Sequence, residues 1–262
     1  MNRAIENFKI ATDGLQITAR FVPWDTEVYG FPVAQVENFK LFDTVAALRD
    51  YVQFRQWLCD NSIKIVSCRL PHNCLRESIF LESKGFRFIE MVLHPRIEKL
   101  QRIEIPQDDL KICPALASDI TTLRAIAEKA FHHERYHVDP RLDPRFADMR
   151  YGRWVQSSVN HSYQCLLKVM LDENIIALFI IENGHENAVY WHLTAIAPGW
   201  QGRGCGKRIW RAMLHYHKGE GKDSVTTTIS ARNVAVLNLY SKLDFRFLPP
   251  EMTFHWINDA CA

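Results

Sequence analysis

Between residues 188 and 217 the chain passes from an apolar run, through Pro198-Gly199-Trp200-Gln201-Gly202-Arg203-Gly204-Cys205-Gly206-Lys207, into a segment carrying Ile209, Trp210, Met213, Leu214 and His217 at helical spacing. A strand that enters and a helix that leaves a glycine-rich turn constrain both the fold and the ligand. Gly202, Gly204 and Gly206 let the backbone aim its N–H groups inward with no Cβ in the way. A helix starting near Gly204 adds unpaired first-turn donors and the positive end of its dipole. Together these favour a phosphate or diphosphate, and Arg203 and Lys207 add charge. Two common nucleotide loops are excluded by position. A dinucleotide fingerprint starting at Gly204 needs glycine where Ile209 stands, and a P-loop ending at Gly206-Lys207 needs glycine in place of Gln201 and Ser or Thr in place of Arg208.

The rest of the chain reads as mixed α/β in two halves. In the first, residues 63–70 form a strand, 74–84 a helix stopped by Gly85, and 86–97 a second strand. Residues 101–109, with Pro106 and two aspartates, read as a linker, which divides the chain into 1–105 and 106–262. The second half opens with a strand at 111–115 and a helix at 119–131, capped by Asp119 or Ser118, with Leu123, Ile126, Ala127 and Ala130 inward. A polar, aromatic-rich stretch covers 132–159. Strands at 163–171, 175–182 and 188–197 precede the loop; a helix at 208–217, a strand at 225–230, a helix from Asn233 to Leu243 and a strand at 252–256 follow it. The sheet before the loop is largely antiparallel. Ser83-Lys84-Gly85-Phe86-Arg87-Phe88 echoes Ser241-Lys242-Leu243-Asp244-Phe245-Arg246-Phe247, and aligning Phe86 with Phe245 places Leu81 opposite Tyr240. This reads as a degenerate half-module joined to an intact one.

Composition narrows the function classes. With 32 Lys+Arg against 30 Asp+Glu, the net charge of +2 gives no case for nucleic acid as the main partner. Seven cysteines, at 59, 68, 74, 113, 165, 205 and 261, with no CxxC pair, suit free thiols in a reducing compartment. The leading Met1-Asn2-Arg3-Ala4-Ile5-Glu6-Asn7-Phe8-Lys9 lacks the apolar core of a signal peptide, and the apolar run 175–181 is too short to cross a bilayer. A cytoplasmic protein without membrane or nucleic-acid partners is expected.

With these residues in view, the sequence resembles the GNAT superfamily of acyl-CoA-dependent N-acyltransferases over roughly residues 110–256. Gln201, Gly204 and Gly206 match its Gln/Arg-x-x-Gly-x-Gly/Ala motif. Ala195-Ile196-Ala197-Pro198 looks like its strand end, and Asn233 through Leu239-Tyr240 to Phe245 like its next motif. The resemblance implies a GNAT fold, with a central, mostly antiparallel sheet flanked by helices. It implies that Gln201, Gly202, Arg203, Gly204, Cys205, Gly206, Lys207 and Asn233 hold acyl-CoA. The backbone at Leu193, Ala195 and Ile196 would pair with the pantetheine and polarise the thioester carbonyl. Tyr240 would be the acid that protonates the leaving thiolate, since a phenol pKa of about 10 lies near that of an alkyl thiol. Of Trp191 and His192, strand alternation sends one inward without saying which.

A looser likeness extends to the nucleotide-linked amino-sugar N-acyltransferases, such as dTDP-fucosamine acetyltransferase. It rests on the phrases Phe21-Val22-Pro23-Trp24-Asp25-Thr26-Glu27-Val28-Tyr29-Gly30-Phe31, Lys84 to Glu90, and Phe131 through Arg135-Tyr136-His137 to Trp154. It implies an acceptor site with Glu90 as base or orienter and Trp24, Arg135, Tyr136, His137 and Trp154 as contacts. Acetyl or hydroxyacyl transfer to a dTDP-linked amino-deoxysugar, as in O-antigen or lipopolysaccharide synthesis, follows from it, and a homodimer fits a chain of two halves. Rival readings are transfer to a protein N-terminus, antibiotic or polyamine, or CoA binding without catalysis. His133-Glu134-Arg135-Tyr136-His137 also matches the zinc signature H-E-x-x-H. Pro140 and Pro144 argue against a long helix through both histidines, and no third ligand stands at the required spacing, so no metal is expected.

Overall fold

The computed structural model describes residues 6–258. Residues 1–5 and 259–262, and with them Cys261 and part of the leading segment, lie outside the described residues. Two compact units emerge: one runs up to Met91 and is rejoined by the chain from Pro249, and the other is Val92–Leu248. Near the expected boundary at residue 105, Leu100 is buried and Ile103 and Ile105 pack partly against the second unit's core, and the Gln101 amide donates to the carbonyls of Lys218 and Lys222.

The first unit contains β1 (Phe8–Ala11), β2 (Leu15–Phe21), α1 (Pro23–Tyr29), β3 (Val33–Leu41), α2 (Thr44–Asp60), β4 (Ile65–Pro71) and α3 (Leu75–Ser83). It also takes the start of β5 (Arg87–Ile97) and most of β12 (Arg246–Ile257). β1, β2 and β3 pair antiparallel, β3 and β4 parallel, and β4 with β12 antiparallel. Asp43 caps α2 by accepting from the Ala46 amide at 2.7 Å. Ala47, Tyr51, Phe54 and Leu58, three and four apart, form the helix face that packs onto the sheet.

The second unit holds the rest of β5, then β6 (Lys111–Pro114), α4 (Ile120–Ala130), α5 (Arg135–Val138), α6 (Pro144–Ser158), β7 (Gln164–Leu171), β8 (Asn174–Asn183) and β9 (Ala188–Ile196). α7 (Cys205–Gly219), β10 (Ser224–Thr227), β11 (Ile229–Ser230) and α8 (Val234–Ser241) complete it. β6 through β9 form an antiparallel ladder, β9 and β10 run parallel, and β10 and β11 pair antiparallel with β5. One sheet face buries Leu166, Leu178, Ile180, Leu193 and Ala195 with α4 and α6. The other buries Phe179, Ile181, Val189, Trp191 and Val225 with α7 and α8. The mixed, mostly antiparallel, helix-flanked sheet is the one expected. Within it α7 begins three residues early, the expected strand 225–230 breaks at Thr228, and the aromatic-rich stretch folds into α6, with Asp143 as its cap. Asp119 stands at the N-cap of α4, but its carboxylate accepts from the Leu116 amide and the Lys168 ammonium instead of from the helix.

The internal repeat is reproduced in the backbone. Lys84, Gly85 and Phe86 donate to Leu81, Glu82 and Leu81; Leu243, Asp244 and Phe245 donate to Tyr240, Ser241 and Tyr240. Gly85 (φ +89) and Asp244 (φ +59) both turn left-handed at the helix end, and Phe86 and Phe245 are both buried.

Trp191 and His217 pin β9 to α7. The Trp191 indole N–H donates to His217 Nε2 at 2.9 Å, with both side chains fully buried. Burial, and then the charge of Lys222, push the His217 pKa down to about 4. The folded state therefore keeps this ring neutral, whereas the unfolded chain takes up a proton near pH 6.5. Stability is complete above that pH and is lost as pH falls toward 4, by about 3 kcal/mol. A His217→Gln variant, which keeps an acceptor for Trp191, is expected to show a flatter fall in thermal midpoint between pH 7 and 5 than the wild type, read by calorimetry.

Candidate functional site

β9 is the strand on which the site is built. Val189 and Trp191 face α7 and α8, while Leu193 and Ala195, of the same parity, face α4 and α6. The reversal is a β-bulge: Ile181 pairs with Trp191 and Ile180 with Leu193, which leaves His192 as the extra residue. The parallel pairing of β9 with β10 ends at the same place, at Trp191 opposite Thr227, where the Thr227 hydroxyl donates to the Trp191 carbonyl at 2.8 Å. Beyond it β9 pairs only with β8, so its other edge from His192 to Ile196 has no strand partner among the described residues. β9 and β10 thus open into a fork.

Past the fork the chain makes a short 3-10 turn, Pro198–Trp200, and enters α7. The Gln201 amide group donates to the Ile196 carbonyl at 2.9 Å and holds the loop against the strand end. Gly202 (φ +72) and Gly204 (φ +76) are left-handed, and a Cβ at either would meet nothing. Glycine is required there by backbone conformation, not by space. Gly204 is the N-cap of α7, and no side chain caps that helix. Among the described residues the amides of Gly202, Arg203 and Gly204 have no partner, and α7 adds the free donors of its first turn. Cys205 and Gly206 are half-buried, whereas Lys207 is exposed; Arg203 lies 5.7 Å above the Trp200 ring. Arg208 is occupied by Asp108 and Asp109 and is not available to the loop. The exposed row of donors at a helix start suits an anion.

Tyr240 on α8 is fully buried, 4.8 Å from the Phe245 ring. Its hydroxyl has no hydrogen bond of ordinary geometry. Burial pushes its pKa up to about 12, against a smaller opposite pull from Trp210, Thr227 and Thr194. Those three neighbours place the hydroxyl at the mouth of the fork, between the end of β10 and the open stretch of β9.

Comparison with known proteins bears on this geometry. Residues 122–245 match the family model described as Acetyltransferase (GNAT) family. A conserved protein of unknown function from Staphylococcus epidermidis is similar in structure, with a TM-score of 0.67, 14% identity, and coverage of 97% of this chain and 95% of that one. A GCN5-related N-acetyltransferase from Sphaerobacter thermophilus gives 0.63 at 12% identity, covering 92% and 76%. A tandem GNAT protein from the clavulanic acid pathway gives 0.59 at 13%, covering 87% and 76%. The fold is that of the GNAT superfamily. No curated protein sequence matches the chain. The GNAT match supports acyl-CoA-dependent N-acyltransferase chemistry, with acyl-CoA as co-substrate, and the loop described above has the donors a diphosphate requires.

The expected residues fall into three groups in this GNAT frame. Leu193 and Ala195 bury their side chains under α4 and α6, so what they offer the fork is backbone. Ile196 is half-buried at the strand end. Asn233 caps α8, accepting from the Val236 amide at 3.2 Å, which fixes the helix that carries Tyr240. Trp154 on α6 is half-buried, donates to the Gln164 side chain at 3.1 Å and lies 6.0 Å from the His192 ring. Tyr136 is buried, with the guanidinium groups of Arg135 and Arg150 4.7 Å and 5.3 Å from its ring centre, so its ring is not presented to solvent. His137 is enclosed between Glu134 and Asp148 (3.0 Å), and these carboxylates raise its pKa although burial alone would lower it. α5 begins only at Arg135, so His133 and His137 share no helix, and no group of three or more His, Cys, Asp or Glu is arranged for a metal among the described residues. Glu90 and Trp24 belong to the first unit; Glu90 is 3% exposed on β5, and Trp24 is 48% exposed on α1 beneath Arg20.

The bulge, Glu182, Thr194 and Thr227 were not among the expected site residues. Alternation continues unbroken through 189, 191, 193 and 195, so a one-residue insertion leaves no trace in the hydrophobic pattern. Trp191 is the inward member of its pair with His192. No helix among the described residues is long and apolar enough to cross a membrane.

Gly204→Ala is expected to lose about 1 kcal/mol of stability from left-handed strain. It is also expected to weaken CoA binding at least tenfold, since the first-turn amides shift with it. Calorimetric titration of CoA into wild type and variant checks this.

Proposed function

We propose that the protein transfers a short acyl group from acyl-CoA to a primary amine on a nucleotide-linked amino-deoxysugar, by direct attack without a covalent enzyme intermediate. Tyr240 carries this reading. A core hydroxyl without a partner costs stability, of order 1–3 kcal/mol, and this one is held at the fork where a thioester lies when the α7 loop grips the diphosphate. Burial raises its pKa, so the phenol is protonated at neutral pH and is a weaker acid than a free phenol; its proton passes to sulfur as the carbon–sulfur bond breaks and negative charge builds there. The open edge of β9 supplies backbone N–H to the carbonyl as it becomes an oxyanion.

The acceptor class rests on the resemblance of the aromatic and arginine-rich phrases. Trp154 and Arg135 are the contacts for the sugar and diphosphate. Acetyl and small hydroxyacyl groups are the donors, and the protein acts in the cytoplasm as a homodimer.

Tyr240→Phe separates chemistry from structure. It removes a buried, unpartnered hydroxyl, so the variant is expected to be as stable as the wild type or more so, by up to about 1 kcal/mol. Its turnover is expected to fall by about a hundredfold. Thiol release from acetyl-CoA, followed with a panel of nucleotide amino sugars, free amino sugars, polyamines and peptides, measures both. Full turnover by Tyr240→Phe removes the acid role. Release with polyamines or peptides alone removes the proposed acceptor.

A further inference from the structure

We infer that His192, paired with Glu182, is the base that takes the proton from the attacking amine. This rests on the acyltransferase reading above and deepens it. His192 is the extra residue of the bulge, the first position on β9 after its pairing with β10 has ended. It therefore lies beside the open edge to which that reading assigns the thioester. Its Nε2 is 2.8 Å from Glu182 Oε2, and neither side chain is sealed: His192 is 22% and Glu182 35% exposed. With Nε2–H donating to the carboxylate, Nδ1 carries the lone pair. A ring so held accepts a proton and keeps the resulting imidazolium beside a negative charge.

The two faces of the sheet divide the work. Tyr240 and Thr194 approach the fork from the α7 and α8 side. His192 stands on the other side, 6.0 Å from Trp154 on α6 and 4.7 Å from the Tyr190 ring. An amine arriving past Trp154 meets the carbonyl from the His192 side, and the sulfur leaves toward Tyr240. The amine nitrogen forms a bond to the thioester carbon, and its excess proton passes to His192 Nδ1. The carbon–sulfur bond breaks and Tyr240 protonates the thiolate. Amine and thioester become amide and thiol, and the proton on His192 returns through solvent to Tyr240. The ionisable and charged groups around His192 are Glu182 on β8, Tyr190 on β9 and Arg150 on α6, which lies 5.6 Å from the Trp154 ring; His94 on β5 is joined to Tyr190 through Thr228.

The test uses the full chain with acetyl-CoA and whichever amine releases thiol. His192→Gly is expected to lower kcat/KM about a hundredfold or more, with CoA affinity within twofold of wild type and with rate restored in proportion to added imidazole. His192→Gln, which keeps a hydrogen bond to Glu182 without a basic nitrogen, is expected to keep the wild-type thermal midpoint and to lose the acidic limb of the pH–rate profile; it decides the matter if the glycine variant does not fold. Glu182→Gln is expected to lower kcat about tenfold. His192→Gln within threefold of wild-type kcat/KM, or a folded, CoA-binding His192→Gly that imidazole does not rescue, overturns the assignment. Wild type that neither binds CoA nor releases thiol with any amine overturns the acyltransferase reading instead, so the two failures are distinguishable.

Discussion

Along β9, from His192 to Ile196, alternate residues turn their backbone groups toward an edge that β10 has abandoned. A buried, unpaired N–H or C=O costs about 1–3 kcal/mol, so this edge is stable only if water or a ligand satisfies it. An extended ligand bearing amides does so as an added strand would, and the pantetheine of CoA has that character. The loop past Pro198 lies directly beyond the same edge, so a molecule bound along β9 delivers its diphosphate to the donors of Gly202, Arg203, Gly204 and the first turn of α7. The rest of the second unit keeps this fork open and rigid.

Rigidity comes from both sheet faces. Trp191, the last paired residue, is locked by its indole bond to His217 and packs edge-on to Phe179 at 5.1 Å. On the next turn of packing, Trp210 approaches both Phe179 and Tyr240. Opposite them, α4 and α6 close over Leu193 and Ala195 just after the bulge. A residue inserted between two such anchors cannot slide, because a slip of one position would exchange Trp191 for His192 in a dense core. The bulge is therefore fixed by packing on both sides of it, and the fork inherits that precision.

The sequence made much of this legible. The glycine loop needed only three residues at fixed spacing between a strand and a helix; Gly202 and Gly204 turn left-handed, and Gly206 lies in the first turn of a helix that no side chain caps. The long elements were legible because Leu123, Ile126 and Ala127, or Ile209, Trp210, Met213 and Leu214, repeat at a helix period. Register was not legible. Pairing between strands depends on partners far away in sequence, and the bulge at His192 falls in an alternation that looks continuous. Within the aromatic phrase 131–154, Tyr136 is engaged in a cation–aromatic stack and His137 by two carboxylates, partnerships that no local pattern announces. Composition does not distinguish an aromatic offered to a ligand from one consumed by its neighbours.

The two copies of the strand–helix–Phe device show which part of this arrangement is scaffold and which is chemistry. Both copies close the helix with the same three backbone bonds and a left-handed residue at the same position, Gly85 or Asp244, and both bury the following phenylalanine. The first copy puts Leu81 where the second puts Tyr240, and each is fully buried. Leucine satisfies that position with no polar atom to accommodate, so packing alone does not call for a phenol. The hydroxyl of Tyr240 enters the same kind of pocket with Trp210, Thr227 and Thr194 near it but no hydrogen bond of ordinary geometry, and a buried polar group so poorly satisfied points to a task outside stability. Of the two buried side chains at this position only the phenol brings a polar atom, and it occurs in the copy whose neighbouring strands part to form a fork.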